Sequence, residues 1–410
     1  MERTRDEVGF RTEYASRSEH CLIGVMSGTS LDGIDAVLVR VRSRSDKTLE
    51  TVQLMAHSSL PYSDALRSRV AALCDRETAR IDELVDAHYG LAEWYARAVA
   101  LVLGKAALSA GNVDVVALHG QTVWHSPVAR SFPGPERELP VTGTLQIGCA
   151  AVLRERTGIP VISDFRARDM AAGGEGAPLA PNVDALLFGS PTEGRIVQNN
   201  GGIGNATVVP AGATQADILA FDTGPGTMVI DAVVSLGTEG AERFDGEGAR
   251  AARGTVSQDM VRRQMQDPFF DRKPPKSTGR EVYGASFAAR FVEEARARGM
   301  SLDDMAATAT AFTAESIVDS YRRFVLPRTA IATVLVGGGG ALNPTLLQMI
   351  AERLPAGTTV STTAAHGVPD QAREAVAFAV IGHESLMGRP GNLPAVTGAR
   401  GPVVLGSMTL

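Results

Sequence analysis

Twice along this chain an apolar run enters a turn built of Gly with Ser, Thr, Asn or Asp and leaves it as a second apolar run. The first instance is CLIGV, MSGTSLDG and IDAVLVRV over residues 21–41; the second is RIVQNNGGIGNATVVP over residues 195–210. Each is the pattern of a β-hairpin. Two such units in one chain of 410 residues suggest two related halves. A third glycine cluster, VGGGGALNP at residues 336–344, follows an apolar strand and opens a helix, with Asn343 as cap and Pro344 at the first helical position. Between these clusters lie stretches with helical spacing, clearest at residues 84–108, and a strand–helix–strand step ending in PVISDF at residues 160–165. A Pro-rich loop is expected at residues 127–140. The fold class is therefore α/β with two lobes.

Composition narrows the function. The 43 glycines exceed the usual ~7% and gather in clusters rather than at a fixed period, as expected where backbone approaches a ligand. With 40 Lys and Arg against 46 Asp and Glu, the formal charge is −6, and no long basic run is present. Nucleic acid and anionic membrane both need clustered positive charge, so a small-molecule partner is expected instead. No apolar run reaches the ~18 residues of a membrane span. Cys21, Cys74 and Cys149 lie far apart, which fits a reducing compartment better than a disulfide framework or a zinc site. Residues 1–20 are dense in charge and lack a signal peptide's apolar segment, and they read as a mobile arm on a cytoplasmic protein.

The turn at residues 24–35 can aim several backbone N–H groups at one point, the geometry of a phosphate nest. Asp32 and Asp35 would repel phosphate unless a divalent cation lay between, and Mg²⁺ is suited to one or two carboxylates plus water. A plain hairpin turn has the same composition. Walker, dinucleotide, zinc-protease, serine-hydrolase and protein-kinase signatures are absent from the sequence. In FDTGPGT, residues 221–227, Asp222 at a strand end is well mounted as a general base, although an Asx-turn or helix cap also accounts for it. The Asp-Thr-Gly string also occurs in aspartic proteases, which need a second copy that this chain lacks. Gly338, Gly339 and Gly340 offer a surface free of side chains on which a flat ring could lie. His119, Gln121 and Thr122, with Arg166 and Asp169, bring polar groups to strand ends, where α/β proteins hold ligands. His119 alone reads better as a structural histidine. Lys276 to Arg280 form a basic loop that could meet phosphate or sugar and otherwise is simply solvated.

Taken in order, GVMSGTSLDGID, HGQTVWH, TLQIG, DFRARDMAAGGEGAPLAP, FDTGPG, PPKSTGRE, VGGGGALNP and EAVAFA closely resemble the anhydro-N-acetylmuramic acid kinase family, from about residue 21 to the C-terminus. The resemblance implies the two-lobed fold of hexokinase, actin and heat-shock ATPases, with ATP and sugar meeting between lobes. The lobes would be residues 21–159 with 380–410 and residues 160–379, beside the arm at 1–20. It implies that ATP phosphorylates O6 of a 1,6-anhydro sugar while water opens the bridge at C1. Asp222 matches the base. Gly28, Thr29, Ser30, Leu31, Asp32, Gly33, Ile34 and Asp35 would cradle the phosphates; Asn205 and Gly338 to Gly340 would complete the nucleotide site. Mg²⁺ would be held near Asp32 and Glu374. The sugar would meet His119, Gln121, Thr122, Arg166, Asp169, Gly176 and Pro178. Asn200, Thr227 and Cys149 depart from the family pattern, where an aliphatic, an Asn and an acidic residue are usual. Several segments look as similar to levoglucosan kinase, a relative acting on an unsubstituted anhydro sugar. An actin-like nucleotide-gated binding module is the alternative from another class. Oligomeric state stays open, with a homodimer the commonest assembly.

Overall fold

A computed structural model describes residues 6–46 and 48–410. The chain forms two compact units, Met1–Leu187 with Ala372–Leu410, and Phe188–Gln371. Each is organised on one sheet.

In the first unit the strands are β1 (Glu19–Ser27), β2 (Gly33–Ser43), β3 (Leu49–Pro61), β4 (Val115–Pro133), β5 (Glu138–Ile147) and β6 (Val161–Ser163), closed at one edge by the C-terminal Ser407–Thr409. β1 pairs antiparallel with β2 and β2 with β3, while β4 adds parallel to β1 and β6 parallel to β4. In the second unit the strands are β7 (Arg195–Asn200), β8 (Ile203–Val209), β9 (Leu219–Pro225), β10 (Thr333–Gly337) and β11 (Thr359–Thr362). Their pairing repeats the plan: β7–β8 and β8–β9 antiparallel, β10 parallel to β7 and β11 parallel to β10. Leaving aside β5 and the edge strand Ser407–Thr409, both sheets read third, second, first, fourth, fifth. The repeat expected from the two hairpin patterns is thus a repeat of topology.

The cores follow from periodicity. The helix Ile81–Ala106 buries Leu91, Tyr95, Val99 and Val102 along one stripe against Ile23, Val25, Leu38 and Val116 of the first sheet. In the second unit the helix Leu302–Phe324, opened by a capping box between Ser301 and Asp304, packs Ile317, Val318 and Tyr321 against Ile196, Val208, Phe221 and Val334. The helix Arg373–Leu386 lies on β1, where a Cβ at Gly24 would come within 2.0 Å of the Ala375 carbonyl oxygen. Only glycine permits that approach.

Three expectations are corrected. Over Glu7–Ser16 the arm is a helix capped by Asp6, with Phe10 and Tyr14 buried one turn apart; residues 1–5 lie outside the described residues. Tyr14 stacks on His20 at 3.8 Å between centroids and hydrogen-bonds His383 Nδ1 at 2.7 Å. The Pro-rich loop is instead largely a two-stranded ribbon in which β4 and β5 pair from Arg130 opposite Val141 to Pro133 opposite Glu138. The unit limits fall at 187/188 and 371/372 rather than 159/160 and 379/380. The Arg373 guanidinium closes a buried bidentate contact, 2.6 Å to each oxygen of Asp184, and its helix belongs whole to the first sheet.

Candidate functional site

In the first unit the β1–β2 turn leaves Thr29, Ser30 and Asp32 exposed and turns Ile34 into the core. Leu31 adopts φ +57°, and its N–H reaches back to the Gly28 carbonyl at 3.3 Å. Two of the turn's carbonyls also accept from side chains outside it, Gly28 O from Gln121 Nε2 at 3.0 Å and Leu31 O from Arg67 Nε at 3.0 Å. Gln121 is wholly buried and accepts from Tyr62 at 3.2 Å. It shapes the turn rather than lining a sugar site. Asp32 accepts from Ser30 Oγ at 2.8 Å, and Asp35 bonds Ser59 and His57 of β3.

Glu374 opens to solvent yet is crowded by protein, which pushes its carboxyl above the usual range; Arg373 and Arg166 oppose the shift, and the charges of Asp35 and Asp32 add to it. A carboxylate that feels two other carboxylates is relieved by a cation, so these residues fit a divalent ion. Among the described residues no three His, Cys, Asp or Glu side chains gather into a metal cage.

His119 is buried, and the Arg166 Nε–H donates to its Nε2 at 2.9 Å. Arginine only donates, so Nε2 carries the lone pair and Nδ1–H donates to Gly120 O, 2.7 Å away. Burial first, and the Arg166 charge second, push the imidazole down to about 3, and the ring is neutral. Arg166 also donates to Gly176 O at 2.8 Å. Asp169 is fully buried and accepts from Gly176 N–H, Asn392 Nδ2 and Thr397 Oγ1 at 2.7–2.8 Å. Thr122 is half-buried, with Gln146 Nε2 at 3.2 Å, and Pro178 is exposed. His119, Arg166, Asp169 and Gly176 therefore form one connected network. Within it Asp169 acts through the Gly176 backbone and has no free face.

In the second unit the strand register places Gly337, Asn199, Asn205 and Asp222 side by side across β10, β7, β8 and β9. Directly opposed residues project from the same face of a sheet, so the two amides and the carboxylate form one polar row. Asp222 is half-buried, and its Oδ2 accepts the Thr278 N–H at 2.9 Å while its own N–H donates to Lys276 O at 3.0 Å. Lys276 is 4% exposed, so the basic loop expected here does not offer its ammonium to phosphate. The peptides of Gly226 and Thr227 donate to Gly202 O and Gly201 O, joining FDTGPG to the β7–β8 turn.

Behind the polar row lies a neutral network that sequence reading missed. Gln198 Nε2 donates to Asn200 Oδ1 at 3.0 Å and Thr223 Oγ1 at 3.1 Å, and its Oε1 accepts from Tyr321 at 2.6 Å. Asn200 is fully buried, and its Nδ2 has no partner among the described residues. Gly338, at φ +77°, lies over Asn199 and Asn200, where a Cβ would meet the Asn200 carbonyl carbon at 2.8 Å. Gly339 and Leu342 face solvent, and Asn343 caps the next helix through Leu346 N–H, as expected. Thr227 and Cys149 each stand at a helix start without a side-chain cap bond.

Residues 20–410 match the sequence model of the family described as Anhydro-N-acetylmuramic acid kinase. The Anhydro-N-acetylmuramic acid kinase of Caldanaerobacter subterraneus subsp. tengcongensis is 42% identical over 395 residues, 96% of this chain and 98% of the relative. That of Salinibacter ruber is 41% identical over 394 residues, covering 96% and 97%. Among solved structures, component A of the Acidaminococcus fermentans (R)-2-hydroxyglutaryl-CoA dehydratase covers 90% of this chain and 99% of its own, at 12% identity and a TM-score of 0.45. No helix of the described residues is long and apolar enough to cross a membrane.

Proposed function

Because the chain belongs to the anhydro-N-acetylmuramic acid kinase family, whose members are sugar phosphotransferases, we propose that it uses ATP to open and phosphorylate the 1,6-anhydro ring of anhydro-N-acetylmuramic acid. The observation that carries this reading is the polar row, in which one carboxylate stands beside two neutral amides with one oxygen held by the Thr278 N–H. That leaves Asp222 with no carboxylate directly opposite it.

The step balances as follows. Asp222 removes a proton from water as the water oxygen bonds C1; the C1–O6 bond breaks; O6 attacks the γ-phosphorus; and the bond to the β-phosphate oxygen breaks, releasing ADP. The products are N-acetylmuramic acid 6-phosphate with a free anomeric hydroxyl, ADP, and a proton left on Asp222. The Gly28–Asp32 turn, with the Gly28 and Leu31 carbonyls bonded by Gln121 and Arg67, would offer its remaining N–H groups to phosphate. Asp32 and Glu374 would hold Mg²⁺, which supplies charge neutralisation on the phosphates. Gly338 and Gly339, with exposed Leu342, would give adenosine a surface with little side-chain bulk, while Gly340 is buried against Asn200. Arg166, held by His119 and Gly176, would be the cation that meets the lactyl carboxylate of the muramic sugar.

The test is a coupled ADP-release assay of the wild type and Asp222→Asn with anhydro-N-acetylmuramic acid and with levoglucosan. The reading expects turnover of the muramic sugar and loss of about 10³-fold or more in the variant, the scale of a missing general base. Turnover of levoglucosan alone would overturn the substrate. Undiminished turnover in Asp222→Asn would overturn the base.

A further inference from the structure

We propose that Lys276 is the positioning residue of the Asp222 carboxylate: its buried ammonium pins the segment that grips Asp222 through both backbone and side chain. The inference rests on the reading of Asp222 as the base.

Lysine is almost never fully buried without partners, yet Lys276 is 4% exposed. Its Nζ lies 4.4 Å from the centroid of Phe269 and 4.9 Å from that of Phe324, the geometry of a cation between two aromatic faces. It donates to the carbonyls of Phe269 and Phe270 at 3.3 and 3.5 Å. The same residue supplies the carbonyl that accepts the Asp222 N–H, and two positions on, Thr278 N–H reaches Asp222 Oδ2. One anchored side chain thus fixes a short stretch with a contact to Asp222 at each end. Pro274 and Pro275 precede it and stiffen the approach.

Packing alone does not account for a lysine here. A Met would fill the same channel without desolvating a charge, and burial does act against this one, pushing the ammonium down to about 8. Asp319 and Asp222 favour the charge, and Arg323 and Arg272 oppose it. At neutral pH the group is a cation, and its charge and that of Asp222 favour one another, so it both holds the loop and favours ionised Asp222.

The experiment measures pH profiles of kcat and the KM for ATP in wild type, Lys276→Met, Lys276→Arg and Asp222→Asn, with thermal unfolding of each. The proposal expects kcat of Lys276→Met to fall by about 10²-fold, the scale of a small misplacement of a reacting group. Its KM for ATP should stay within about twofold, because binding is not what was lost. The acid limb of its profile should move to higher pH, since a cation whose charge favours ionised Asp222 is gone. Lys276→Arg should recover most of kcat and the acid limb, and should lack the alkaline limb expected of wild type near pH 8 as Lys276 gives up its proton. A wild-type profile in Lys276→Met, or an equal loss in Lys276→Arg, would overturn the proposal. Should Lys276→Met not fold, the Arg variant and the wild-type alkaline limb decide alone. Asp222→Asn separates the two ideas: inactivity there beside an unaffected Lys276→Met overturns only the positioning role, whereas activity there overturns the base itself.

Discussion

The turn from β1 to β2 spans residues 28–32 and exposes two hydroxyls and a carboxylate, whereas the turn from β7 to β8 consists of Gly201 and Gly202 above buried amides. Both turns join the first two strands of sheets with the same strand order. The first unit brings charged groups within reach of one another, Asp32 and Asp35 from the β1–β2 region and Glu374 and Arg166 from two helices. The second places a single carboxylate in a row of neutral amides and backs it with Gln198, Asn200, Thr223 and Tyr321. One architecture therefore serves two kinds of chemistry, because the strand order fixes where loops emerge and leaves their polarity free.

This contrast can be broken most directly at the buried ion pair of the first unit. Arg373→Ala removes the guanidinium paired with the buried Asp184 and should cost about 3–5 kcal/mol in urea unfolding; a loss under about 1 kcal/mol would mean that the charges of this unit are not held by such pairs.

Acid sharpens the comparison next. His119 and His383, both in the first unit, are pushed down to about 3 by burial, so they stay neutral when folded while an unfolded histidine protonates near 6.5. The unfolded chain then binds more protons between these values. Their contribution is present in full above about pH 6.5 and is lost as pH falls toward 3, by a few kcal/mol in all. Hydrogen exchange at pH 4.5 should show the first unit losing protection before the second; the reverse order would refute this.

Smaller effects distinguish the two glutamines. Gln198→Ala removes three buried hydrogen bonds and orphans the Tyr321 hydroxyl, for an expected loss of about 2–3 kcal/mol in thermal or urea unfolding. Gln121→Ala frees one turn carbonyl and should cost only about 1 kcal/mol, while raising the KM for ATP several-fold. If the two variants exchanged these signatures, the division between a charge-presenting turn and an amide-backed turn would fail.

Much of this was legible in the chain. The hairpins, the glycine turns and the Asn343 cap are local features with local causes, whereas Asp222, expected at a strand end, lies in the middle of β9. What escaped reading was what depends on partners distant in sequence. Phe10 and Tyr14 form an apolar pair one turn apart but are hidden among charges, and only His20 and His383 make a docking place for them. The β4–β5 ribbon leaves Val128, Phe132 and Val141 exposed, so its hydrophobic pattern does not distinguish it from a loop. Asp169 and Gln121 were expected to touch ligand. They are instead buried, Asp169 in the helix Phe165–Ala171 and Gln121 inside β4, because which way a carboxylate or amide points is settled only once its neighbours are in place.

By itself, then, the sequence determined the alternation of elements, the repeated hairpin plan and the family, since periodicity, turn chemistry and motif order are written along the chain. Only the tertiary structure decided which polar residues face outward and which are held inside. Lys276, basic and flanked by prolines in a loop, is indistinguishable in sequence from a solvated lysine. It becomes an internal anchor because Phe269 and Phe324 close around its ammonium, and that choice belongs to packing and desolvation, which depend on residues far apart along the chain.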